Sequence, residues 1–99
     1  MPKVFILSDG GHDYSPAKHY GELVFCTDEI IRRDDVAHLF RVLRVALADA
    51  EPGDFLLISS LSSMCAVAAS ILSYQFGELH LLIYKDGHYV QRDLVLEEP

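Results

Sequence analysis

A chain of 99 residues with a formal net charge of −7 is long enough for one hydrophobic core and one domain, spanning 1–99. Apolar residues make up 51% of it, which excludes a disordered chain, and 15 acidic against 8 basic side chains exclude a surface built to displace counterions from nucleic acid. The one basic concentration, Arg32, Arg33, Arg41 and Arg44, is interleaved with Asp28, Glu29, Asp34, Asp35 and Asp49, the pattern of a solvated helix face.

Val4, Phe5, Ile6 and Leu7 form an unbroken apolar run, which suits a central strand buried on both faces. The chain then turns polar. Ser8, Asp9, Gly10, Gly11, His12, Asp13, Tyr14 and Ser15 supply carboxylates, an imidazole, hydroxyls and two residues free to take positive φ. Loops at the carboxyl ends of central strands are where open α/β sheets bind ligands, so this loop is the leading candidate site. It runs on through Lys18, His19 and Tyr20, long for a compact domain. The alternative use is as a cover for a bare sheet face, with Tyr14, Pro16, Ala17 and Tyr20 as its apolar contacts.

After Gly21, the β-prone residues 22–26 make strand two, closed by Thr27 and Asp28. A helix begins near Asp34, whose carboxylate can cap free amides, and Val36, Leu39, Phe40, Leu43 and Leu47 define its apolar face. Glu51, Pro52 and Gly53 turn the chain into strand three at residues 55–58. Helix two covers 63–76; it is apolar or small on nearly every side and is expected to be buried on more than one. Gly77 stops it, and residues 79–84 form strand four. Asp86 and Gly87 then make a two-residue hairpin turn, followed by an edge strand over 89–96.

This order predicts a small Rossmann-like or flavodoxin-like α/β sheet of about five mostly parallel strands, with two helices and a C-terminal β-hairpin. For a sheet order of 2-1-3-4-5, right-handed crossovers place both helices on one face and leave the other without a helix. Strands one, three and four are too uniformly apolar for a sheet with a solvent-facing side, which predicts a homodimer. Residues 55–77 carry no charge, yet six serines and Gln75 interrupt them, so a membrane span is not expected. Cys26 and Cys65 sit in apolar segments outside any C-x-x-C pair, as free thiols of a reducing cytoplasm do. Pro2 and Lys3 precede only a short apolar run without a cleavage site, which reads as no signal peptide.

Two constellations carry candidate chemistry. The first is Asp9, Gly10, Gly11, His12, Asp13, Tyr14, Ser15, Lys18, His19 and Tyr20. Its glycine pair fits neither the dinucleotide fingerprint nor a Walker loop. The second is Ser59, Ser60, Ser62 and Ser63, where strand three enters helix two; free amides there can hold a phosphate or carboxylate, although capping alone needs only one serine. If strands one and three are neighbours, the two loops converge. The expected ligand is then small, anionic and nucleotide-like, bound through Asp9, Gly10, Gly11, His12, Tyr14, Lys18, Ser60, Ser62 and Ser63 by a sensor, regulator or sequestering protein.

An enzyme reading makes His12 a general base or acid, Asp13 or Asp9 its orienting carboxylate, and the amides near Ser60 and Ser63 an anion stabiliser for hydrolysis or phosphoryl transfer. No recognised catalytic motif accompanies them. A metal could draw on Asp9, His12, Asp13 and His19, but their spacing matches no standard site, and neither metal nor cofactor is expected. His38, His80 and His88 read as surface or hydrogen-bonded residues. A third class is a homo-oligomeric structural or interaction subunit, whose working surfaces would be helix two and the bare sheet face.

Overall fold

The computed structural model describes residues 1–96. Its elements are β1 (Lys3–Ile6), a 3-10 turn (Ser15–His19), β2 (Glu22–Phe25), α1 (Val36–Ala46), β3 (Phe55–Ile58), α2 (Ser62–Phe76), β4 (Glu78–Lys85) and β5 (His88–Val95). The five strands make one mixed sheet in the order β2-β1-β3-β4-β5, parallel except for the β4–β5 pair. Both β-α-β crossovers run the same way across the sheet, so both helices pack on one face. Phe5, Leu7 and Leu56 meet Leu39, Leu43, Leu47, Met64, Ala68 and Leu72 there.

The other face is not bare. Val4, Ile6, Leu57 and Leu82 are covered by Tyr14 and Ala17 of the long first loop, with Tyr20 packed alongside. Its 3-10 turn carries Pro16 in the first turn, where a missing N–H costs nothing. The covering role expected of Tyr14, Ala17 and Tyr20 therefore holds, while Pro16 itself stays exposed. Tyr20 closes the cover by donating its hydroxyl hydrogen to the Tyr89 carbonyl at 2.8 Å.

Three expectations shift in detail. The cap of α1 is Asp35 rather than Asp34: its carboxylate accepts from the His38 amide, and Asp34 instead meets Arg32 at 3.2 Å. Along α1, Leu39, Leu43 and Leu47 reach the core, but Val36 and Phe40 are about half exposed. They lie on a stripe rotated away from the sheet. Helix α2 buries Met64, Ala68 and Leu72, whereas Tyr74 is 95% exposed, so its outer side is open rather than buried.

The C-terminal hairpin turns at Asp86 and Gly87, with φ of 53° and 87°, the paired positive values of a two-residue turn that matches strand twist. Its register sets Tyr84 opposite Tyr89 and His80 opposite Asp93. At the sheet's other edge, Gly21 lets β2 start against Pro2, whose carbonyl accepts the Glu22 amide at 3.0 Å. Lys3 fastens the start of β1 to the turn before β3: its amide and ammonium both bind the Asp54 carboxylate, at 2.9 and 3.2 Å. No helix among the described residues is long and apolar enough to cross a membrane.

His80 sits between two carboxylates, 2.8 Å from Asp93 and 3.2 Å from Glu78. The hydrogen bond to Asp93 leads in raising the imidazole above its ordinary 6.5, and Asp93, bonded by Gln91 and His80, is held below its ordinary 3.8. A raised histidine stabilises the fold fully below its unfolded value and loses that contribution as pH climbs through the folded one. A depressed carboxylate acts in the opposite sense, contributing above its unfolded value. The pair should therefore contribute most between the two ordinary values. Urea unfolding should show stability falling from pH 6 to pH 8, with a shallower fall in His80→Gln; an unchanged slope in that variant would remove His80 as the cause.

Candidate functional site

The loops after β1 and β3 do meet. Ser8 and Ser60 hydroxyls lie 3.3 Å apart, because β1 and β3 are parallel neighbours that end side by side. The junction divides the surroundings into two cavities, one on each face of the sheet. On the helix face, a crevice of about 720 Å³ is lined by Ser8, Asp9, residues 25–31, Leu61 and Met64. Its charged groups are the carboxylates of Asp9, Asp28 and Glu29, so no cation awaits an anion there. On the opposite face, a cleft of about 430 Å³ is lined by His12, Asp13, Tyr14, Ile58, Ser59, Tyr84 and Tyr89.

The first loop consumes much of its own polarity. Asp9 accepts the Gly11 amide at 2.9 Å, Asp13 accepts the Ser15 amide at 3.0 Å, and the Tyr14 hydroxyl accepts the Gly10 amide at 3.0 Å. These are carboxylate-capped turns, in which the side chain holds the backbone two residues on. Hydrogen bonds from the Ser15 hydroxyl and amide hold Asp13 below the usual carboxylate range, with a smaller contribution from the charge of Lys18. Asp13 thus points its charge at Ser15. Among the described residues no hydrogen bond joins His12 to Asp13 or Asp9, so the oriented imidazole that an acid-base mechanism needs is not assembled.

The expected ligand residues accordingly separate. His12, Asp13 and Tyr14 join Ser59 in the aromatic cleft, while Asp9 lies with Ser8 in the acidic crevice. Gly10 and Gly11 form the exposed tip of the loop between them, and Lys18 is exposed on the 3-10 turn without lining either cavity. Ser60 is spent on Ser8. Ser62 and Ser63 open α2 after Leu61, which offers no side-chain cap, so first-turn amides stay free of side-chain partners. The Ser63 hydroxyl is buried without a hydrogen-bond partner.

Tyr84 and Tyr89 belong to the cleft and were not among the expected residues. The signal was present: a two-residue turn at Asp86 and Gly87 makes 84 and 89 cross-strand partners. Their rings meet edge to face at 5.4 Å, and Tyr84 remains 60% exposed, offering an open ring face. Burial pushes the Tyr89 hydroxyl above its ordinary value, so it enters the cleft protonated. Cys26, in the other cavity, has its thiol pushed up to about 12 by burial, which makes it a poor nucleophile. Among the described residues, no three His, Cys, Asp or Glu side chains gather in a way that could hold a metal ion.

A third concavity lies outside the helical layer. Between α1 and α2 runs an open groove of about 1330 Å³, with Val36, Phe40, Val67, Ile71 and Tyr74 as its large apolar groups and Arg44 as its one charge.

Fold and site together define a small α/β domain with an aromatic cleft at the carboxyl ends of its parallel strands. Over residues 2–96 the chain matches the family described as Phage Pam3 gp32-like protein, and it belongs to that family. Neither a curated protein nor a solved structure matches it.

Proposed function

We propose that this protein binds a small, nucleotide-like ligand in the cleft between the first loop and the β4–β5 hairpin, as a sensor, regulator or sequestering protein. The observation that carries the reading is the cleft's lining: exposed Tyr84 and His12 give ring faces beside buried Tyr14 and Tyr89, and Ser59 gives a hydrogen-bonding edge. Its volume of about 430 Å³ lies within the range of small-molecule sites. The strand order is that of a flavodoxin-like sheet, in which ligands sit at the carboxyl ends of β1 and β3, and a Rossmann-like lineage is part of the proposal. Because no Lys or Arg lines the cleft, ring stacking is the main source of affinity. Ser62 and Ser63, at the start of α2, do not line this cleft, so the reading does not draw on their amides. The unassembled His12–Asp13 pair is what supports binding over turnover in this reading. Two free thiols support a reducing, cytoplasmic setting.

Calorimetric titration with adenosine, adenosine monophosphate and inorganic phosphate tests this. Tyr84 is exposed, so Tyr84→Ala should spare the fold while weakening ring-bearing ligands about tenfold, the scale of one lost base stack. Absence of binding by all three compounds, or equal binding by Tyr84→Ala, would overturn the reading.

A second reading, a homodimeric interaction subunit, is favoured by the groove between α1 and α2. Large apolar side chains left open along two adjacent helices mark an interaction surface.

A further inference from the structure

We infer that a second copy of this chain docks on the outer face of the helical layer, with the α1–α2 groove of each protomer filled by the helices of the other about a two-fold axis. The inference rests on the homodimer reading and names its surface. The obvious alternative, the helix-free face of the sheet, is already closed: Tyr14 is 4% exposed and Ala17 fully buried over Val4, Ile6 and Leu57. Over β1 and β3, then, that face needs no partner.

The groove has no such cover. Leu39, Leu43 and Leu47 anchor α1 to the sheet, so the parallel stripe of Val36 and Phe40 is not needed for packing within the chain. On α2, Tyr74 stands 95% exposed, a large ring beside the apolar lining of the groove. Ala66 and Ser70 beside it are small enough for a facing helix to approach closely.

Charge selects the occupant. The chain has 15 acidic residues, and none lies in α1 or α2. A foreign basic partner would be drawn to the carboxylate-bearing surfaces elsewhere. Two copies of one acidic chain can approach most closely where neither presents a carboxylate, and the helical layer is that place. Arg44, the groove's one charge, can lay its aliphatic stem on apolar surface and keep its guanidinium at the rim. Helices of 11 and 15 residues, packed side by side, present a face about 20 Å on each edge, roughly 400 Å² in projection, so the groove forms the centre of the contact and its flanks supply the rest of the roughly 800 Å² each partner buries in a standard interface.

Sedimentation equilibrium on the full chain, from low to high micromolar concentration, tests the surface. Wild type should be dimeric. Tyr74→Glu and Ala66→Glu, at exposed positions, should keep the wild-type circular dichroism and each weaken the dimer at least about tenfold, since each sets carboxylates into the contact from both sides. Val95→Glu, on exposed β5, should leave the dimer unchanged. A wild-type dimer indifferent to both helix variants, or one broken by Val95→Glu alone, overturns the docking face and leaves the homodimer reading standing. A strict wild-type monomer at high micromolar concentration overturns both.

Discussion

Replacing Gly21 with alanine should destabilise the fold by about 2–3 kcal/mol, the usual scale for forcing extra atoms into a closed space. The added Cβ would meet the Pro2 carbonyl, standing 2.8 Å from its carbon. That carbonyl is fixed in place, because it accepts the Glu22 amide that begins the β1–β2 pairing. The backbone must therefore open where β2 starts, and the four-residue ladder from Lys3 and Glu22 to Ile6 and Phe25 has little length to absorb the shift. Urea unfolding should give a lower midpoint, and hydrogen exchange should quicken at the Glu22 amide first. A variant within about 0.5 kcal/mol of wild type would mean that residues 1 and 2 simply move aside.

Much of the fold could be read from residue pattern because the governing rules are local or chiral. Continuous apolar runs at residues 4–7 and 55–58 mark strands buried on both faces, and one topological rule, the right-handed crossover, then puts both helices on the same side. The hairpin was equally direct, since Asp86 and Gly87 accept positive φ where most residues do not. Orientation of α1 was harder. Val36, Leu39, Phe40, Leu43 and Leu47 fall on two adjacent stripes, and a period of 3.6 residues does not say which faces the sheet. Arg44, one turn beyond Phe40, was the available clue that the Val36–Phe40 line is the outer one.

The candidate site was partly legible for a different reason. Strand ends could be placed, so the meeting of the two loops near Ser8 and Ser60 followed. What the loop does with its polar groups depends on side-chain rotations, and there Asp9 and Asp13 turn back on the loop's own backbone to hold Gly11 and Ser15. The spacing of each carboxylate two residues before its amide is a turn signature, and it favoured closure of the loop over ligand capture. Chemistry-bearing residue types and chemically available groups are thus separated by one torsion, which composition does not record.

Tyr14 joins cover and cleft, and its truncation should carry the other large effect. Tyr14→Ala should cost about 3–5 kcal/mol, as loss of a buried aromatic ring does when its surroundings cannot collapse. The ring is 4% exposed, lies in the cluster over Val4, Ile6 and Leu57, and meets Phe25 edge to face at 5.8 Å. Tyr14→Phe should cost only about 1 kcal/mol, because it retains that packing and removes one acceptor, leaving the Gly10 amide, donated at 3.0 Å, to partial solvent. The two variants separate the roles. In the phenylalanine form the cleft keeps its ring wall and ligand binding should persist, whereas in the alanine form the loop loses its anchor on the sheet and both stability and binding fall. Chemical denaturation of both, paired with the adenosine titration, gives the comparison. Equal losses in the two variants would place the loop's hold in the hydroxyl rather than the ring, and a near-neutral Tyr14→Ala would show that the first loop does not seal this face, returning it as a surface for a partner.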